Sequence, residues 1–293
     1  MLHELLSFLS LQDPNVRWVV IGACLIGATT GSVGIFAYLQ KRSLVGDAIA
    51  HAMLPGVAIA FLLSGSKQSL YLTIGAVTSG GMAWWLVGYL LKHTKLKSDT
   101  VLALVLSVFY GFGVMLLSYI QQQPNAQQSG LDRFLFGKIA STTADELLPL
   151  CIVAVVALLI IWAGYAQIRL MLFDAQYAKA HGYAVQFWES TIAVLTIAVV
   201  SIGIQAVGVV LLAALLITPS LVARYWTNSL STMFWIAGLV GAFSGVVGAF
   251  ISYTAPRMPT GPWIVVVLSV LAFVSAIRKN IYRTNEPHKQ ART

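Results

Sequence analysis

The sequence predicts an all-α integral membrane protein with about nine transmembrane helices, and three observations lead to this fold class. Hydrophobic residues make up 58% of the 293 residues and charged residues only 10%, whereas a soluble domain carries roughly 25% charged residues. The charges cluster in short segments between the apolar runs. These runs are long enough to cross a bilayer, which excludes soluble enzymes and nucleic-acid-binding domains.

Each predicted span is an apolar run of about the 20 residues that a membrane-crossing helix needs. The predicted spans are 17–40, 44–64, 69–91, 99–120, 147–167, 188–206, 208–226, 232–253 and 261–278. The sixth and seventh are separated only by the segment 205–208. One broken or re-entrant passage in that region, giving eight spans in total, is the alternative interpretation.

The distribution of Lys and Arg predicts the orientation of the chain. With nine spans and the N-terminus outside, thirteen of the 18 basic residues lie on the cytoplasmic side and five on the outer side. The opposite orientation would reverse this bias, and basic residues are enriched in cytoplasmic loops. We therefore expect the N-terminus outside and the C-terminus in the cytoplasm, and the same bias explains the net charge of +8.

Residues 1–293 are expected to form a single transmembrane domain. Three of its segments are expected to lie outside the membrane spans. In 1–16, leucines at i, i+3, i+4 and i+7 predict a short amphipathic helix in the membrane interface. The segment 168–187 is predicted to form a short helix that ends at Gly182 and lies on the membrane surface or docks on a partner. The segment 279–293 is predicted to be a basic cytoplasmic tail.

Small residues recur at close-packing intervals in two spans. Gly27, Gly31 and Gly34 lie in the first span and Gly241, Gly245 and Gly248 in the eighth. Such spacings let helix backbones approach closely, so both spans are expected to pack tightly against neighbouring helices.

Asp47 and His51 are the most informative residues, because ionisable side chains inside a membrane are costly and therefore functional candidates. The i, i+4 spacing places both on one helix face. A carboxylate and an imidazole suit divalent manganese, iron or zinc. Metal or proton transport is one interpretation of the pair, and structural pairing with each other or with a neighbouring helix is the other. Two ligands cannot complete a metal shell, so further donors are required.

Three more residues are candidates for a gate or for the transport path. Pro55 leaves the His51 carbonyl without its helical hydrogen bond and allows a kink near the middle of the membrane. Pro219 predicts a second kink, for which a gate and a packing role are equally consistent with the sequence. Glu189 lies near the cytoplasmic start of a span, where an interfacial carboxylate is the favoured interpretation and a ligand the alternative.

The run 43–56, which contains the Asp–His pair, closely resembles a signature of the permease subunits of metal-ion ABC importers. This manganese, zinc and iron family is also called ABC-3. Three other stretches are similar to the same family: 135–137 to its outer-loop motif, 173–182 to its coupling helix and 207–220 to its late transmembrane motif. The matches extend over about 17–278, which is nearly the whole chain.

The resemblance implies a fold like that of type II ABC importers and a function in a bacterial plasma membrane. It implies a homodimer or a pair of different permease chains, with the homodimer expected. It also implies two ATPase subunits on the cytoplasmic face and an extracellular or periplasmic metal-binding protein. The chain itself would be no enzyme and hold no permanent cofactor, since ATP is used by the partner. By the resemblance, Asp47 and His51 bind the metal. The coupling positions are Phe173, Asp174, Ala178 and Gly182.

The resemblance also ranks the metals. The form Ala-His-Ala-x-Leu-Pro-Gly at 50–56 is similar to family members that look like manganese or iron importers. We therefore expect manganese first, iron next and zinc third.

Two other functions compete with the importer. A proton-coupled secondary transporter could use the same Asp–His pair, and it would need neither an ATPase nor a docking helix. An intramembrane metalloenzyme would need three protein ligands and an open position, but only one His lies inside a span and no His-Glu-x-x-His motif is present.

Overall fold

The computed structural model describes residues 13–65, 68–122, 144–254 and 260–284, and all regular structure in these ranges is helical. The helices are α1 (Pro14–Leu39), α2 (Val45–Ser64), α3 (Ser69–His93), α4 (Ser98–Gln121), α5 (Ala144–Ala163), α6 (Tyr165–Phe173), α7 (Ala175–Ala180), α8 (Val185–Val207), α9 (Val209–Trp226), α10 (Leu230–Thr254) and α11 (Thr260–Thr284). The predicted all-α class is thus confirmed for the described part of the chain.

Seven of the described helices are long and apolar enough to cross a membrane, namely α1, α2, α3, α4, α8, α10 and α11. Helices α5 and α6 pass the same test together as a bent pair, which would make an eighth span. Helix α9 is apolar but shorter. Mean hydropathy is highest along α4 and α11, where most of the side chains face away from the protein interior.

The chain changes direction at Gly164, inside the fifth predicted span. The predicted span 147–167 ends early, because the chain bends by 70° between Ala163 and Tyr165. The ring of Trp188, at the start of α8, occupies the space that a Cβ on Gly164 would need. A glycine at the bend therefore lets α8 pack directly against it, and α6 leaves the direction of α5.

The chain also turns between α8 and α9, which the sequence left open. Gly208 has φ +90°, a conformation that favours glycine. The side chain of Leu212 contacts Gly203, although a continuous helix would separate these residues by about 13 Å. Helix α8 alone is long enough to span a membrane, and α9 folds back beside it after the turn at Gly208.

The backbones of helices α1 and α10 are in direct contact through glycines on both helices. A Cβ on Gly27 would meet the carbonyl group of Gly241, and a Cβ on Gly241 would meet that of Gly27. One turn along, a Cβ on Gly31 would lie 2.5 Å from the Ala237 carbonyl oxygen. The predicted role of these glycines in close packing is confirmed, and the order of the contacts shows that α1 and α10 are antiparallel.

The remaining contacts fix the relative directions of the other long helices. Helix α2 is antiparallel to α3 and parallel to α4, α3 is antiparallel to α8, and α9 is parallel to α11. Helices α2 and α3 meet at Ala52–Ser79 and Gly56–Gly75, and α2 and α4 at His51–Tyr110 and Leu54–Gly113. Helices α3 and α8 meet at Gly80–Ile197 and Thr73–Gln205, and α9 and α11 at Leu211–Gly261 and Trp226–Ser275. The end of α1, the start of α2 and the end of α3 consequently lie at one end of the bundle, here called the basic end because Lys41, Arg42 and Lys92 lie there.

Several expectations fall outside the described residues. Most of the predicted interfacial helix 1–16 is among them, although Pro14, Asn15 and Val16 already belong to α1. The motif 135–137 and most of the predicted outer loop lie in the range 123–143. The first residues of the predicted tail belong to α11, which extends to Thr284.

Candidate functional site

Asp47 and His51 face each other on the first two turns of α2. His51 Nε2 lies 3.2 Å from Asp47 Oδ1, and the side chains are 17% and 34% exposed, respectively. Asp47 lies in the first turn of the helix, where the free backbone N–H groups and the helix dipole stabilise a negative charge. The predicted arrangement of the pair on one helix face is therefore observed.

The surrounding contacts hold this part of α2 in place. Gly56 and Gly75 pack backbone against backbone between α2 and α3, and the hydroxyl of Ser79 donates a hydrogen bond to the Ala52 carbonyl at 2.6 Å. On the other side, a Cβ on Gly113 of α4 would lie 3.0 Å from Pro55 Cδ. Neighbouring helices thus reach the backbone of α2 beside and just beyond His51.

Tyr110 is a site residue that the sequence analysis missed. Its ring on α4 meets the His51 imidazole edge-to-face, with ring centroids 4.7 Å apart and planes at 76°. The contact orients the imidazole and places a phenol group next to the pair. A tyrosine in the middle of an apolar span was the only signal in the sequence, and without the packing of α4 on α2 nothing connects it to His51.

The two nitrogens of His51 have different surroundings. Nε2 is directed at Asp47, whereas Nδ1 is buried and has no hydrogen-bond partner in the described part of the protein. A metal-binding histidine commonly uses one nitrogen for the metal and donates from the other to a carboxylate. The geometry therefore allows either joint binding by Asp47 and His51 or binding through Nδ1 with Asp47 as the orienting carboxylate.

The described residues of one chain offer no complete metal shell. They contain no group of three or more His, Cys, Asp or Glu side chains that could hold an ion together. The pair can supply one carboxylate and one imidazole, a donor set that suits manganese, iron or zinc. Any further donor has to come from outside this set of side chains.

A groove of about 810 Å³ begins one turn beyond His51 and is here called the α2–α4 groove. It runs between α2, α3 and α4 towards the end of the bundle opposite the basic end. Large apolar side chains line it and remain exposed. They include Ile59, Leu63, Tyr71, Ile74, Met82 and Phe112. The first lining residue on α2 is Pro55, so the open, largely apolar groove begins one turn beyond His51 and two turns beyond Asp47.

The three gate candidates occupy different places. Pro55 lines the α2–α4 groove directly beyond His51. Pro219 lies inside α9, where its Cβ would be 3.2 Å from a Cβ on Gly31 of α1, and the neighbouring Ser220 hydroxyl donates to the Gly31 carbonyl at 3.3 Å. Glu189 lines a separate cavity at the basic end. Of the three, only Pro55 lies next to the Asp–His pair.

The predicted coupling residues form a compact turn of two short helices, α6 and α7. Asp174 begins α7, and its carboxylate accepts a hydrogen bond from the Tyr177 backbone N–H at 2.8 Å, as expected of an N-cap. Ala178 is buried whereas Phe173 is 65% exposed. Gly182 has φ +79° and ends the segment, so the predicted C-terminal glycine is confirmed.

Comparison with known families and proteins gives a consistent result. The model of the ABC 3 transport family matches residues 12–279. The chain is 42% identical over 270 residues to the manganese transport system membrane protein MntC of Bacillus subtilis (strain 168), covering 92% of the chain but only 62% of that longer relative. It is 39% identical over 274 residues to the zinc transport system membrane protein TroC of Treponema pallidum (strain Nichols), covering 94% of the chain and 91% of the relative.

A solved structure shares the fold. The structure described as PsaBC from Streptococcus pneumoniae in complex with Fab superposes with a TM-score of 0.81 at 32% identity. The match covers 92% of this chain and 95% of the other.

Proposed function

The chain belongs to the ABC 3 transport family, and we propose that it is the membrane-spanning subunit of an ATP-driven importer for a divalent transition metal in a bacterial plasma membrane. The observation that carries this proposal is the Asp47–His51 pair on α2, one turn of that helix before the α2–α4 groove begins at Pro55. An aspartate and a histidine are costly to place inside an apolar membrane helix, so each is a candidate for a functional role. Their oxygen and nitrogen atoms match the ligand preferences of divalent manganese, iron and zinc.

We propose that a second copy of the chain completes the metal shell. Asp47 remains 34% exposed, and the α2–α4 groove, which begins two turns further along α2, presents a row of exposed apolar side chains. Two copies joined on this face would bring together two carboxylates and two imidazoles. A two-fold homodimer would supply these four groups without any further ligand from within one chain. Such homodimers are the commonest symmetric assemblies.

Nine membrane passages and an outside N-terminus remain part of the proposal. The observed helix directions support it, because α9 runs parallel to α11 and extends from the level of Gly261 to the level of Ser275. Helix α9 then acts as a separate passage in spite of its length. The bent pair α5–α6 supplies the fifth, with α6 turned towards the membrane surface at the basic end.

The surface that we propose for the ATPase partner is formed by α6 and α7. Phe173 and Tyr177 are exposed there, and the Tyr177 ring stacks on that of His181 with centroids 3.9 Å apart. Exposed aromatic side chains on a capped helical turn are well suited to fill a pocket on a partner. Movements of the ATPase would reach α8 directly, since the segment ends at Gly182 and α8 begins at Val185.

The transport cycle then follows from alternating access. An extracellular binding protein delivers the ion to the groove, and Asp47 and His51 hold it after it has lost part of its water shell. ATP binding and hydrolysis in the partner change the relation between the two permease copies and open the site towards the basic end. Manganese is the proposed substrate, supported by the name of the Bacillus subtilis relative, whereas the Treponema pallidum relative is named for zinc.

The test is metal uptake into proteoliposomes that contain the chain and its ATPase, with binding protein supplied outside. Manganese, iron and zinc are compared for the wild type and for His51→Ala. We expect uptake of manganese that requires ATP and is lost in His51→Ala, while the variant still assembles with the ATPase. Met53, which is fully buried beside His51, provides a control: Met53→Leu should assemble and transport.

Three outcomes would contradict parts of this proposal. Uptake without ATP, driven by a pH gradient, would favour the proton-coupled secondary transporter. Uptake by His51→Ala at the wild-type rate would show that the pair is structural. A preference for zinc over manganese would leave the importer in place and overturn the proposed substrate.

A further inference from the structure

A second cavity, of about 400 Å³, lies at the basic end and is here called the basic-end cavity. It is bounded by the end of α1, the start of α2, the end of α3 and the start of α8. Trp84, Gly88 and Lys92 of α3 line it, whereas the α2–α4 groove is lined by Gly75, Ser79 and Met82 of the same helix. These two sets of residues lie on different sides of α3, and the basic-end cavity and the α2–α4 groove have no lining residue in common.

The charged groups around the cavity are not neutralised by one another. Arg42, Lys92 and Glu189 line it, and in the described part of the protein none of them forms an ion pair. Two cations and one carboxylate leave a net charge of +1. Since a guanidinium and an ammonium both bind phosphate oxygens strongly, this arrangement fits a singly charged phosphodiester.

The cavity has a polar mouth and an apolar interior. Gln40, Arg42, Lys92, Gln186, Glu189 and Ser190 lie near helix ends at the basic end. Trp84, Val87, Ile192 and Ala193 lie further inside. From Lys92 to Trp84 the cavity extends about 12 Å along α3, at a rise of 1.5 Å per residue. A soluble phosphate compound has no apolar part that could contact the interior of the cavity. A lipid has a charged headgroup, which matches the polar mouth, and an apolar chain, which matches the interior.

From these observations we propose that the basic-end cavity binds a phospholipid with an anionic headgroup. The phosphate lies between Arg42 and Lys92, and Glu189 accepts a hydrogen bond from a headgroup hydroxyl. One acyl chain begins along Trp84 and Val87 and continues into the bilayer. Basic pockets between membrane helices on the cytoplasmic side are suited to such headgroups, and a tryptophan ring suits the membrane interface.

Gly88 permits a direct test, because it lines the cavity and a Cβ there would meet open space. In Gly88→Phe the ring can fill the cavity without displacing backbone. Gly81→Phe is the matched control: Gly81 lies on the same helix, its Cβ would also meet open space, and it lines neither the basic-end cavity nor the α2–α4 groove. Arg42→Gln combined with Lys92→Gln removes the charges and keeps the cavity open.

The experiment measures phosphatidylglycerol retained by the full-length chain in native mass spectra, after delipidation and titration with the lipid. We expect one tightly bound lipid per chain in the wild type and in Gly81→Phe, and loss of that lipid in Gly88→Phe. The double charge variant should bind about thirtyfold more weakly, since each cation contributes about fivefold near an anionic headgroup. Phosphatidylcholine should bind more weakly than phosphatidylglycerol.

Either of two results would overturn the proposal. Equal retention of phosphatidylglycerol in Gly88→Phe and wild type would place the lipid elsewhere. Displacement of the lipid by millimolar inorganic phosphate or glycerol phosphate would assign the cavity to a soluble phosphate compound. Neither result depends on metal transport, so the proposal can fail while the proposed function stands, and the reverse.

Discussion

The α1–α10 pair and the α2–α4 region are built from similarly apolar sequence but in opposite ways. In α1, 67% of the most apolar window is buried inside the protein and in α10 33%, compared with 72% in α2 and 22% in α3 and in α4. The backbones of α1 and α10 touch through glycines on both sides, whereas α3 and α4 leave large side chains exposed along a groove.

This difference teaches where function lies in a protein that is apolar almost everywhere. Close backbone contact through small residues supplies packing energy that lipid cannot replace, so the α1–α10 pair serves as a fixed frame. The Asp–His pair and the exposed apolar surface both lie in the region that a single chain leaves open. This placement is the reason for the proposal that two copies of the chain share the site.

The largest expected effect breaks the frame. In Gly27→Leu the side chain would have to occupy the position of the Gly241 carbonyl group, so α1 and α10 must separate. Overpacking against side chains alone costs about 1–3 kcal/mol. We therefore expect the free energy of unfolding to fall by more than about 3 kcal/mol, and size-exclusion chromatography to recover little folded protein. Gly111→Leu on α4, where a Cβ meets open space, is the control and should purify normally. A stable Gly27→Leu protein would show that α1 and α10 do not form this contact.

The second effect concerns transport without loss of fold. Asp47→Asn keeps the size of the side chain but removes its charge, and the group lies on a partly exposed surface. We expect manganese uptake to fall by about a hundredfold or more, the upper range for disturbed metal sites, while the thermal unfolding temperature in nanodiscs changes little. A variant that unfolds at a clearly lower temperature, but whose folded fraction transports normally, would instead assign Asp47 a structural role.

The smallest effect tests Tyr110 as a residue that positions His51. Tyr110→Phe preserves the edge-to-face ring contact and should transport like the wild type, whereas Tyr110→Leu removes the contact. An aromatic pair contributes about 0.5–1.5 kcal/mol, so we expect up to about tenfold weaker uptake in Tyr110→Leu, visible as a higher apparent KM for manganese with little change in maximal rate. Equal loss in both variants would mean that the hydroxyl, and not the ring, is what the site needs.

The Asp–His pair was predictable in its local geometry. The i, i+4 spacing on a helix dictates that the two side chains meet, and the observed Nε2–Oδ1 distance of 3.2 Å follows from it. Tyr110 was not predictable, because it is 59 positions further along the chain and its contact depends on α4 packing parallel to α2. The unpartnered Nδ1 of His51 was equally invisible, since burial of an atom is a property of the packed helices.

The span boundaries show the same division. Hydropathy located the long helices to within a few residues, but it extended the span 147–167 through Gly164, where the chain bends by 70° beside the Trp188 ring. In the sequence, a glycine within an apolar run gives the same signal whether it lies at a bend, at a turn such as that at Gly208, or in a packing contact such as that of Gly27. Only the neighbouring helix distinguishes these three cases.

The sequence by itself determined that the helices are suited to a lipid bilayer, that the fold is helical, and where the costly ionisable groups lie along the helices. These properties depend on composition and on the fixed geometry of a helix. The tertiary structure alone decided which helices touch, where a groove stays open and which charged side chains share a cavity. Helix association in a membrane depends on the fit of facing surfaces and not on burial of apolar residues as such. Since nearly every residue in the spans is apolar, hydropathy carries little information about which face meets which neighbour.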